Sequence, residues 1–142
     1  MSLLETGLAV AIDAALGAWL GSIVFFSFVG APTVFDVLDE DHAGTVVNAI
    51  FPKYYVFGAG LGALAVLAAA LAGLATAFDA ARLGVLGLAA AGLLLNAYAR
   101  WVLIPKMDRA GADAFARYHK QSVVLNGATM LAVALALVLA HV

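Results

Sequence analysis

Four apolar stretches, each about 20 residues or longer, constrain this chain more than any other feature, because a helix of that length crosses the roughly 30 Å hydrocarbon core of a bilayer. The first runs from Leu8 to Ala31, interrupted by Asp13, Ser22 and Ser27, and is expected to end at Pro32. A second is expected to start at Phe51-Pro52, where proline suits a first helical turn, and to reach Phe78. Asp79 is placed to N-cap a third, which should stop at Ile104, before Pro105. The fourth begins as a polar helix near Ala112, enters the membrane around Gln121 and runs to Val142.

Composition agrees with spans of this kind. The chain is 65% hydrophobic and 11% charged, against about 25% charged residues in a soluble domain. A water-soluble fold would leave large apolar surfaces exposed. The expected class is therefore an all-α, four-helix transmembrane bundle forming one domain over residues 1–142. A net charge of −2 gives no ground for nucleic-acid binding, and the absence of cysteine excludes disulfides and thiolate chemistry. The start, MSLLETGLAV, has no basic segment ahead of its apolar run, so the first span reads as a retained helix.

Between the first two spans lies VFDVLDEDHAGTVVNAI, which fits either short interfacial helices broken near Gly44 or a plain loop. Of the seven Lys and Arg residues, only Arg82 falls at the end shared by the termini. Lys53, Arg100, Lys106, Arg109, Arg117 and Lys120 fall at the other, which predicts that end to be cytoplasmic and both termini outside. Gly17–Gly21 and Gly58–Gly62 have the small-xxx-small spacing that lets helices approach closely.

Two polar stripes carry the candidate chemistry. His119, Ser122, Asn126 and Thr129 lie on one face of the fourth helix, and Gly92, Asn96 and Arg100 on one face of the third. An amide in hydrocarbon needs an internal partner, so the two stripes are expected to face each other inside the bundle. Arg100 then offers a planar fork of donors suited to an anionic or carbonyl-bearing group, with His119 at the mouth. The alternative is that Arg100 snorkels to the headgroups and His119 is an ordinary interfacial histidine. Tyr54, Tyr55, Tyr98, Trp101 and Tyr118 suit an aromatic belt.

Asp13 stands apart. It lies inside the first span with no base near it in sequence, so it is expected to be protonated and hydrogen-bonded, or paired with a cation. No HExxH, phosphate-binding glycine loop or cysteine nucleophile is present, and no enzyme is expected. His141 should lie on the opposite membrane side from His42 and His119, so the three are not expected to form one metal site. No helix has a histidine at mid-depth for haem, and no cofactor is expected.

The blocks GSIVFFSFVGAPTVF, IFPKYY, NAYARWVLIPKMD and FARYHKQSVVLN, in that order, resemble the transmembrane protein 205-like family. That resemblance implies a four-helix membrane domain of unknown function. It assigns matching positions to Pro32, Phe51, Pro52, Asn96, Arg100, Pro105, Arg117, His119 and Asn126. More distantly the chain is similar to copper-resistance D-type proteins and a haem-pathway membrane oxidase, whose members tend to have a histidine in the first helix. The comparable region here has Asp13 instead, which speaks against metal or haem binding. The binding residues expected are Asn96, Arg100, His119, Ser122, Asn126, Asp13, Lys53 and Tyr54. They suit transporter-like or channel-like handling of a small solute, ion or lipid headgroup by a homo-oligomer. A non-catalytic scaffold and a haem or metal redox protein are the alternatives.

Overall fold

In the computed structural model, the backbone is described throughout and the side chains at all positions except Ala112 and Asp113. Four long helices form the chain: α1 (Leu3–Val37), α2 (Glu40–Thr76), α3 (Ala80–Asp108) and α4 (Ala112–Leu139). No strand occurs among the described residues. Consecutive helices are joined by short turns and pack as an antiparallel bundle, with α1 also against α4.

Local chemistry sets each helix start. Ser2 and Glu5 form a reciprocal capping box at the head of α1, both bonds 3.2 Å. Asp39 caps α2 by accepting the His42 amide at 3.1 Å, with Glu40 and Asp41 in the positive first turn. Asp79 caps α3, as its position in the sequence predicts, by accepting the Arg82 amide at 2.8 Å.

The prolines depart from expectation, since all three sit inside helices. Pro32 and Pro105 do not end their spans. Each follows a π-helical turn, Phe26–Gly30 in α1 and Ala99–Leu103 in α3. A proline lacks its N–H and crowds the carbonyl four residues back, and the wider turn makes room for that clash. Pro52 does not open α2 either, because the helix already runs from Glu40. The segment between the first two spans is helical, but it consists of the extended ends of α1 and α2. The chain reverses at Leu38–Asp39, not at Gly44. A cap at Asp39 stabilises the start by about 1 kcal/mol, and glycine within a helix costs only about that much.

Packing centres on Trp19, which is 1% exposed. A Cβ on Gly62 would lie 2.8 Å from its ring, and one on Gly92 3.1 Å, so small residues on α2 and α3 form its slot. Gly58–Gly62 therefore packs as expected. Gly17 and Gly21 do not, since an added Cβ at either meets no atom within 4 Å. The rest of the interior is mostly alanine, with Leu16, Ile23 and Val133, while Leu67, Leu74, Leu94 and Leu131 point outward. Small side chains inside and large apolar ones outside suit a bundle solvated by lipid. This is a multi-pass membrane architecture. Met1 and Val142 border the same cavity, so both termini lie at one end.

Candidate functional site

The basic end of the bundle holds polar contacts that together join all four helices. Asn126 of α4 accepts a hydrogen bond from the Tyr54 hydroxyl of α2 at 2.6 Å. Its Nδ2 donates to Ser27 Oγ, inside the π turn of α1, at 2.9 Å. Asn96 of α3 is 4% exposed and donates to the backbone carbonyl of Tyr55. Both amides turn inward, as their stripes predict, but neither bonds the other. Tyr54 and Tyr55 are adjacent on α2, and one offers its hydroxyl to α4 while the other offers its carbonyl to α3. Phe26 and Phe51 pack around these tyrosines with ring centroids 4.9–6.0 Å apart.

Arg100 lies half-buried in the π turn of α3, its guanidinium 5.9 Å from the Trp101 ring centroid. Its Nε is buried without a hydrogen-bond partner, and so is Trp19 Nε1. The indole nitrogen and Asn96 Oδ1 would each lie 2.9 Å from a Cβ placed on Gly58, so that glycine leaves the space they share. Buried donors nearly always find partners, and Arg100 lies within one of the two π turns among the described residues.

The other expected residues take different places. Ser122 is buried but donates to the His119 carbonyl of its own helix at 2.7 Å, and Thr129 bonds the Leu125 carbonyl at 2.8 Å. Such bonds satisfy a hydroxyl without linking helices. His119 is exposed and stacks on Phe115, 6.2 Å between centroids, and Lys53 is exposed. A cavity of about 20 Å³, room for one water, lies between Tyr55, Met107 and Ser122.

Asp13 belongs to the opposite end. Its Oδ1 lies 3.2 Å from His141 Nε2, so its base comes from the far end of the chain, and its side chain is 42% exposed. The contact with His141 is compatible with both arrangements the sequence leaves open, a hydrogen-bonded neutral acid and a partner for a cation. Ser27, Trp19 and His141 are the residues whose roles the sequence did not disclose. Among the described residues, no three His, Cys, Asp or Glu side chains gather as a metal-holding group.

Residues 14–116 match the model of a domain of unknown function, DUF4149. The chain belongs to the DUF4149 family. It is 36% identical over 121 residues to an uncharacterised protein of Aquifex aeolicus (strain VF5), covering 83% of this chain and 85% of that one. No solved structure matches it. Within this DUF4149 chain the matched segment contains Ser27, Tyr54, Asn96 and Arg100, while Asp13, Asn126 and His141 fall outside it.

Proposed function

We propose that this DUF4149 protein is transporter-like or channel-like, taking a small anionic or carbonyl-bearing solute at the polar core of its basic end. The observation that carries the reading is the pair of unpartnered buried donors, Trp19 Nε1, which shares the space at Gly58 with Asn96, and Arg100 Nε, one helical turn along α3 from Asn96. An acceptor-bearing guest would satisfy both, and a planar guanidinium favours carboxylate-like geometry. The π turns at Phe26–Gly30 and Ala99–Leu103 are the elements whose rearrangement would admit it, because the 20 Å³ cavity holds no more than water. The six basic residues at this end favour a cytoplasmic orientation in the cell membrane, with both termini outside. The outward-facing Gly17 and Gly21 give α1 a small-residue face suited to a homo-oligomer. The four sequence blocks favour kinship with the transmembrane protein 205-like proteins within this reading.

Uptake into proteoliposomes, measured with a panel of small anions and carbonyl compounds, tests the proposal. The expected result is flux above empty liposomes that falls about tenfold in Arg100→Gln, the scale of a lost charged hydrogen bond. Flux equal to empty liposomes across the panel would contradict it. A scaffold role has one observation in its favour. Beyond the level of Ser27 and Tyr54, α1 and α2 continue to a turn carrying exposed Asp36, Asp39, Glu40 and Asp41. That hairpin projects on the order of 15–20 Å past the polar network and offers an acidic tip to a partner.

A further inference from the structure

A cavity of about 310 Å³ opens at the end opposite the polar network. It forms where α4 stops at Leu139, while the C-terminal turns of α2 continue to Thr76. Its walls are alanine and aliphatic side chains, among them Ile12, Ala69, Ala72 and Val85. The charged and titratable groups that face it come from each element around it. Glu5 and Asp13 belong to α1, Asp79 and Arg82 to the start of α3, and His141 follows α4, with the Met1 α-ammonium and the Val142 α-carboxylate, of opposite charge, also at its border. α2 adds the Thr76 hydroxyl, which is bonded to the Ala72 carbonyl at 2.8 Å. Arg82 is paired with Asp79, so its charge is already answered. Among the described residues Asp13 pairs with His141 alone, and that imidazole carries a charge only when protonated. Glu5 has no cationic partner among them, and its side chain accepts a hydrogen bond from the Ser2 amide.

We infer that this cavity is a binding site for a small lipophilic cation, an ammonium group on an apolar body, held by Asp13 and Glu5 above the alanine floor. The volume falls at the lower bound of ligand pockets, roughly 300 Å³, and few convergent polar groups over apolar walls is the usual makeup of such sites. The Asp13 and Glu5 carboxylates, neither with a Lys or Arg partner among the described residues, favour a positive guest and disfavour an anion. An ammonium group could belong to a free amine or to a lipid headgroup, and both present the same chemistry to the site.

Calorimetric titration of benzyltrimethylammonium into the full chain in nanodiscs tests the inference, with benzenesulfonate as the anionic control. Saturable binding of the cation alone is expected, weakened at least tenfold in Asp13→Asn. Phosphatidylglycerol and phosphatidylcholine nanodiscs separate the two sources. Suppression of binding in phosphatidylcholine identifies the lipid headgroup as the occupant, and equal binding in both identifies a free amine. Equal binding by wild type and Asp13→Asn in both lipids would overturn the inference. So would equal binding of benzenesulfonate, which needs no variant and stays decisive if Asp13→Asn fails to fold. The titration reads equilibrium binding at the terminus end, so its outcome is separate from that of the flux assay.

Discussion

Single residues decide the geometry at two points where the backbone has little freedom. Ala77, between α2 and α3, has φ 78° and ψ 151°, a region left almost wholly to glycine. Ala77→Gly should therefore stabilise the protein by about 1 kcal/mol, read as a higher melting temperature in detergent. The nearby Gly73→Ala should destabilise it, because the new Cβ would collide with the Phe78 ring. At the acidic tip the Asp39 carboxylate is held below its usual 3.8, first by the His42 amide and then by the His42 ring. A depressed carboxylate contributes stability above its unfolded pKa and loses it as pH falls through the folded value. Hydrogen-exchange protection of the first turn of α2 should accordingly hold at neutral pH and drop below about pH 4, and Asp39→Asn should flatten that dependence. Tyr54→Phe removes one bond of the polar network, while Asn126→Ala strands both Tyr54 and Ser27. A double-mutant cycle on Tyr54 and Asn126 should give a coupling of roughly 0.6–1.7 kcal/mol, the range for interhelical bonds in membranes. A coupling of zero would mean that the contact contributes nothing to holding α2 and α4 together.

At the scale of helices, the two glycine pairs predict opposite outcomes. Gly58→Leu should collapse the bundle, because even a Cβ there meets Trp19 Nε1 and Asn96 Oδ1 at 2.9 Å. Gly17→Leu should leave the fold and its melting temperature intact while weakening any homo-oligomer, measured by light scattering with detergent subtracted. Identical spacing in sequence thus hides different roles, since glycine spacing reports that approach is possible and not which face is approached. The spans themselves were legible because apolar runs and the Asp79 cap are local signals. The prolines were misleading for a local reason too, as Pro32 and Pro105 look like stops until the π turn before each is known. Trp19 gave no signal at all, being one aromatic residue in a run of apolar ones. The inward turn of Asn96 and Asn126 followed from the cost of an amide in lipid. Their partners did not, because Tyr54 and Asn126 stand 72 residues apart and only packing brings them together.

For the whole molecule, the layout is an inside-out bundle with a filled, hydrogen-bonded polar core at one end and an open acidic cup at the other. The basic residues cluster at the first end, so a reporter after Val142 should read non-cytoplasmic and one near Gly111 cytoplasmic. The reverse pattern would place the polar core on the outer side of the membrane. Whether that core receives a guest is tested most directly through Trp19 itself. The chain has two tryptophans, and Trp101→Phe leaves Trp19 as the sole indole while preserving an aromatic ring beside Arg100. Titration of this variant in nanodiscs with small carboxylates and carbonyl compounds should shift Trp19 emission saturably as Nε1 gains an acceptor, and Arg100→Gln should abolish the shift. Emission that stays unchanged across the panel, with the bundle intact, would contradict a solute site at the polar core.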